Sequence, residues 1–239
     1  VSNALRSRQV VPIVLTCARS LEYVRAFTRS WRDLESQDAL PIRSPIVVVD
    51  LTASPVLPGE YVDEIASLDP RVVVVHARLP NLSEGDSVQD AAFFALEQGV
   101  RHRRDEETHL LFLEDDVVLS SRFQDGLYSC DPSPDLGYTT LYQPWDGYGA
   151  AGPVSSETVR GGHFYGTQCL LMPFDSAGLL LEHRASIERD YPPGYDLRWS
   201  RFLVDRGRSI HTTEKSYVQH VGVVSRLGCM SHRSNVFVE

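Results

Sequence analysis

Lysine is nearly missing from this chain of 239 residues: Lys215 is the only one, so the basic charge rests almost entirely on arginine. Basic charge as a whole is also in deficit, and the net charge is −9. A face that grips nucleic acid or an anionic membrane needs a surplus of basic side chains, so neither is expected as a general partner. A small anionic ligand, held by local arginines or by a metal ion, remains compatible. Cysteine is scarce too. Cys17, Cys130, Cys169 and Cys229 lie far apart without zinc-site spacing, and Cys17 and Cys169 stand in apolar runs where reduced core thiols are expected. No run of about 18 apolar residues occurs, which predicts no transmembrane helix. A cleavable signal peptide is not seen, so the expected residence is cytoplasmic, with a lumenal one carrying two bridges left open. Missing as well are GxxxxGK[ST], a GxGxxG after the first apolar run and GxSxG, which argues against a P-loop, a dinucleotide fingerprint and the usual α/β-hydrolase elbow.

Hydrophobic residues make up 42% of the chain, enough to bury a sizeable core. "VVPIVLT" (10–16), "SPIVVVDL" (44–51), "RVVVVHA" (71–77) and "HLLFLEDD" (109–116) are apolar, β-branched-rich runs that read as strands. Between them, 21–35, 58–68 and 87–100 carry helical spacing, with Ser20 placed to cap the first helix. Alternating strands and helices with short connections predict a Rossmann-like, mostly parallel α/β sheet flanked by helices. The second half changes character: 129–163 is rich in turn residues. Beyond it, 163–173 reads as a strand, 174–184 and 192–207 as helices, and "SIHTT" and "YVQHVG" as short strands. One domain over 10–230 is expected, with a nucleotide-binding half (10–128) and a smaller mixed acceptor-side half (129–230), and with 1–9 and 231–239 as terminal segments.

Ligands bind such sheets at the C-terminal ends of the strands. Those ends carry Thr16, Cys17 and Arg19, then Asp50, then His76, then Glu114, Asp115 and Asp116. Strand side chains alternate faces, so adjacent acids point in different directions. One of them can hold Mg²⁺ or Mn²⁺ together with substrate phosphates while another bonds a sugar hydroxyl. A solvated strand end explains the triplet equally well.

The stretches "PIVLTCARSLEYVRAFTRSW", "PIVVVD", "FLEDDVVLSSRF" and "YPPGYDLRWSRFL" occur in this order at characteristic separations. Together they resemble inverting GT-A fold glycosyltransferases, most closely the N-acetylglucosaminyltransferase I family. The resemblance covers about 10–230 as ordered motifs. It implies a GT-A fold and metal-dependent transfer of a sugar from a nucleoside-diphosphate donor, most simply UDP-linked, to a hydroxyl of a glycan or other acceptor. It also implies site roles. Thr16, Cys17 and Arg19 would border the nucleotide, and Asp50 would accept a hydrogen bond from uracil. Glu114 and Asp115 would address ribose and base, and Asp116 would bind the Mn²⁺ or Mg²⁺, with His220 as a second metal or phosphate contact. Asp196 would be the general base, although a first-turn acid is also favoured simply by the helix dipole. "RGGHFYGTQ" would lie below the donor sugar, where Gly161, Gly162 and Gly166 permit close backbone approach. It departs from the family in having "YGTQ" where a tryptophan-containing stretch is expected, which leaves the donor sugar open. "YQPWDGYG" (142–149) offers aromatic faces suited to sugar stacking or to pinning a loop. "VVSRLGCMSHRSN" (223–235) could close over a diphosphate or be a loose tail. Two other functions fit a sheet of this kind. A sugar-phosphate nucleotidyltransferase predicts a glycine-rich basic loop after the first strand, and "TCARSLEY" has no glycine. A non-catalytic carbohydrate-binding or scaffold domain predicts no dependence on Asp116 or Asp196.

Overall fold

A computed structural model describes residues 10–17, 20–36, 45–51, 57–69, 71–77, 84–130, 133–144, 151–162, 164, 166–222 and 233–239, with the side chains of 84–87 left out. The first half alternates β1 (Val10–Thr16), α1 (Leu21–Ser36), β2 (Ile46–Asp50), α2 (Gly59–Ala66), β3 (Val73–Ala77), α3 (Glu84–Arg101) and β4 (His109–Glu114). After it come β5 (Val117–Leu119), α4 (Phe123–Tyr128), β6 (Leu136–Thr140), β7 (Gly152–Pro153) and α5 (Ser156–Arg160). The remainder is β8 (Cys169–Pro173), α6 (Phe174–Glu182), α7 (Arg184–Asp190), α8 (Tyr195–Asp205), β9 (Ser209–Thr212) and β10 (Val218–His220).

Eight strands form one sheet in the order β3-β2-β1-β4-β8-β6-β9-β7, while β10 pairs with β5 in a separate two-stranded sheet. The four strands β3, β2, β1 and β4 are parallel, as the βαβ alternation requires. Because β2 and β3 lie on one side of β1 and β4 on the other, the strand order reverses at the β1–β4 seam. A crevice opens at such a reversal, beyond the strand ends. β8 runs antiparallel to both β4 and β6. Its beginning therefore meets the end of β4, and the second half of the chain is delivered to the same edge.

The two-residue period of the strands sorts their side chains into two cores. Leu110 and Phe112 of β4, with Ile13 of β1 and Ile46 and Val48 of β2, pack under α3, α6 and α8. Leu111 and Leu113, with Val14, Val47 and Val49, pack under α1, α2 and α4. In α1 the helical spacing expected from Leu21, Val24, Phe27, Thr28 and Trp31 is realised: the last four are buried and Leu21 is partly so, and Leu34 extends the buried face. Phe112 forms an edge contact with Trp199 of α8 (centroids 5.6 Å apart) and a tilted one with Tyr195 (6.0 Å).

Several expectations are corrected. The strand read as running to residue 116 stops at Glu114; Asp115 and Asp116 form a turn, and the apolar run after them is a new strand, β5, that leaves the main sheet for β10. The turn-rich stretch 129–163 contains β6, which is wholly buried. The strand expected over 163–173 is confined to β8, and the helix expected over 174–184 ends at Glu182, where His183 leads into a further helix, α7. Gly207, with φ +78°, follows the end of α8 as the sequence suggests. Residues 233–239 hydrogen-bond back to the segment before β10: Ser216 N–H donates to the Val236 carbonyl, and Val238 N–H to the Ser216 carbonyl. Among the described residues no helix is long and apolar enough to cross a membrane.

Phe112 joins β4 to α8 and is fully buried. Phe112→Ala is expected to cost about 3–5 kcal/mol, since truncating a core phenylalanine leaves a cavity. Urea unfolding followed by tryptophan fluorescence measures it.

Candidate functional site

The acidic triplet sits at the strand-order reversal, and each of its acids leaves in a different direction. Glu114 continues the face of Leu110 and Phe112, so its side chain emerges on the α8 side. There its Oε1 accepts a hydrogen bond from the Tyr195 hydroxyl. Asp115 follows the opposite face, that of Leu111 and Leu113, toward β1 and α2. Its Oδ2 accepts from the Thr16 hydroxyl at 2.6 Å and lies 3.3 Å from the Tyr61 hydroxyl, which also adjoins the Thr16 oxygen. The Asp115 N–H continues the ladder to the Leu15 carbonyl at 3.2 Å. Asp116 turns away from both, and its Oδ2 faces His220 Nε2 of β10 at 3.1 Å. Backbone support comes from Val221 N–H, which donates to the Asp116 carbonyl at 2.8 Å.

Asp116 and His220 are 2% and 8% exposed, so the pair is out of bulk water, and the backbone of Gly222 packs directly against it. A methyl there would lie 2.6 Å from Asp116 Oδ2, closer than carbon tolerates, and at a tight 3.0 Å from His220 Nε2. No left-handed backbone demands glycine at 222; the space beside the two polar atoms does.

Asp196 stands in the first turn of α8, half-buried, and its Oδ1 accepts the Leu197 N–H at 2.8 Å. Burial raises its pKa above the ordinary carboxylate value, against the lowering effect of the backbone N–H bonds. Gly194, with φ +102°, makes the turn into the helix, and a side chain there would strike Asp196 Oδ1 at 2.8 Å. Tyr195, between them, has its pKa pushed well above that of a free phenol, first by burial and then by the Glu114 charge, so it keeps its proton.

The other expected residues are placed as follows. Thr16 ends β1 beside Asp115, and Cys17 follows it, half-buried. Asp50 ends β2, buried on the same sheet edge. Gly166 is packed: its carbonyl accepts from the Thr140 hydroxyl at 2.6 Å, and a methyl would meet that hydroxyl at 3.1 Å. His76 on β3 is exposed. Arg19, residues 145–149 of the aromatic stretch 142–149 and residues 223–232 of the segment 223–235 lie outside the described residues, while Tyr142 at the start of the aromatic stretch is buried. Tyr61, Tyr195 and Gly222 join the site without having been anticipated. The two tyrosines read in sequence as ordinary helix aromatics. Only the position of Tyr195 beside Asp196, and of Gly222 two residues after His220, could have drawn attention to them.

No protein-family profile and no curated protein matches the sequence. Solved structures do. Residues 1–349 of TarS from S. aureus match with TM-score 0.55 at 10% identity, over 87% of this chain and 59% of that one. The galactosyltransferase LgtC, in complex with donor and acceptor sugar analogs, matches with TM-score 0.49 at 10% identity, over 84% and 73%. An inositol-1-phosphate CTP transferase from T. maritima matches with TM-score 0.46 at 10% identity, over 85% of each chain. The fold is α/β with a large, mostly parallel central sheet flanked by helices, and TarS shares it.

The raised pKa of Asp196 has a consequence for stability. Folding favours its protonated form, so its contribution is complete below about pH 3.9, the ordinary aspartate value, and is lost as pH rises through the folded value. Asp196→Asn keeps a carbonyl for the Leu197 N–H and removes the charge. It is expected to melt above the wild type at pH 7, with the difference closing toward about pH 4. Thermal melts across that range measure it.

Proposed function

We propose that the chain is a glycosyltransferase that moves a sugar from a nucleoside-diphosphate donor, UDP-linked in the simplest case, to a hydroxyl of a glycan or other acceptor, with inversion. The observation that carries this reading is the arrangement at the strand-order reversal. Three carboxylates there address three separate walls, and a fourth, Asp196, heads the helix tied to the first of them. Within this reading the sugar is a hexosyl or N-acetylhexosaminyl group, the latter following the likeness to N-acetylglucosaminyltransferase I.

The Asp116–His220 pair fits a divalent cation. One carboxylate and one imidazole converge beside a backbone position kept free of a side chain, and the diphosphate would complete the set. An imidazole among the ligands suits Mn²⁺ better than Mg²⁺, which favours oxygen throughout. When bound, the cation offsets charge on the departing diphosphate. Thr16, Asp115 and Tyr61 form the buried floor of the crevice, and Asp50 stands at the next strand end toward the base. Asp196 takes the proton of the acceptor hydroxyl as its oxygen bonds the anomeric carbon and the bond from that carbon to the diphosphate oxygen breaks. A carboxylate pKa raised by burial makes a stronger base than a solvated aspartate, and such proton transfer contributes about 10²–10⁴-fold.

The test is a donor panel with Mn²⁺ and with EDTA, read as nucleoside-diphosphate release and thermal shift. Donor at about 100 Kd should stabilise the wild type by about 2.7 kcal/mol in Mn²⁺. Asp116→Asn should lose most of that shift and the turnover, while Asp196→Asn should keep the shift and lose turnover by about 10²-fold or more. Pyrophosphate release from a nucleoside triphosphate and a sugar phosphate would instead identify a nucleotidyltransferase. Silence across the panel, in both turnover and thermal shift, would make the domain non-catalytic.

A further inference from the structure

Glu114 and Tyr195 are tied to each other across the site, between the last residue of β4 and the first of α8. The phenol ring is locked by packing: its centroid lies 5.1 Å from that of Trp199 and 6.0 Å from that of Phe112. Held this way, it can present its hydroxyl in only one place. The hydroxyl keeps its proton, because burial and the neighbouring carboxylate both raise its pKa, so it is a permanent donor to Glu114. The start of α8 has no side-chain cap of its own, since its N-cap residue is Gly194. Apolar packing along Trp199, Phe202 and Leu203 fixes the helix against the sheet, but it is non-directional and tolerates small slides. A part-buried, charge-assisted hydrogen bond does not.

We propose that Tyr195 and Glu114 are a positioning pair: the tyrosine hydroxyl, held by Glu114 at the end of β4, sets the first turn of α8 and with it the carboxylate of Asp196 relative to the donor half of the site. This rests on the reading of Asp196 as the base. It gives Glu114 a role through Tyr195 and Asp196, in place of the ribose contact that the family resemblance implies. The role suits the chemistry, since a base displaced by about 1 Å can lose 10²-fold in rate while substrate binding is untouched. The strand that binds the donor thereby sets the register of the helix that activates the acceptor.

The experiment uses the full chain with Tyr195→Phe, which keeps the ring and removes the hydroxyl, with Glu114→Ala and with the double variant. Tyr195→Phe should lower kcat by about 10- to 100-fold with donor KM unchanged. The double variant should be no worse than Glu114→Ala, because both remove one bond. Glu114→Gln, which retains an acceptor, should lose less than Glu114→Ala. Independently of turnover, amide exchange of Leu197, whose N–H is held by Asp196, should quicken in Tyr195→Phe while that of Leu203 on the same helix does not. Unchanged kcat together with unchanged Leu197 exchange, or additive losses in the double variant, would overturn the pairing. Equal quickening at Leu197 and Leu203 would show a loss of global stability only and overturn it too. A wild type inert toward every donor would sink the catalytic reading, and Leu197 exchange would still decide whether the bond sets the helix.

Discussion

Three consecutive carboxylates cannot share one environment, and the local structure follows from separating them. The strand's alternation sends Glu114 to one core and Asp115 to the other, and the turn that ends β4 sends Asp116 to a different sheet. Each then meets a hydroxyl or an imidazole carried by another part of the chain: Tyr195 of α8, Thr16 and Tyr61 of β1 and α2, His220 of β10. A buried carboxylate without such partners is costly enough to protonate or to unfold its surroundings. The triplet thus acts as a hub, and the elements it ties together are the walls of the crevice.

The reversal of one strand completes the arrangement. Were β8 parallel to β4, its beginning would lie at the far edge of the sheet, away from the acids. Running antiparallel, it brings Gly166–Gln168 to the end of β4, where the Gln168 carbonyl accepts the Glu114 N–H at 3.0 Å. Chain from both halves therefore borders a single edge. The side from β3 to β4 is built on parallel strands with regular ladders. The opposite side is built on the mixed strands β8, β6, β9 and β7.

Much of this was legible in sequence because it is written locally. Continuous β-branched runs give β1, β2 and β4, and the spacing of Val24, Phe27, Thr28 and Trp31 gives α1 and its buried face. The acids could be seen to diverge, because a period of two is a property of any strand. Their partners could not be seen. Thr16 is 99 residues from Asp115, Tyr195 is 81 from Glu114, and His220 is 104 from Asp116, separations over which no local pattern operates. β5 was hidden because "VVL" simply prolongs the apolar run after the acids, and only its pairing with β10 makes it separate. β6 was hidden for the opposite reason: "LGYTT" carries turn-type residues, yet it is flanked by β8 and β9 and buried by them. Gly222 reads as one more loop glycine until the two polar atoms it faces are known.

The long spans of these ties also govern when the crevice comes into being. Each tie closes a loop of 81 to 104 residues, so its entropy must be met by a sheet already assembled, and contacts of such separation form slowly. The arrangement therefore needs residues from Thr16 to His220 and is not made by the first half alone. Synthesis through the turn after β4 yields all three acids together with Thr16 and Tyr61 only; Tyr195 lies 81 residues beyond Glu114, and His220 lies 104 beyond Asp116. Until those arrive, the Tyr195 hydroxyl and the His220 imidazole cannot reach Glu114 and Asp116.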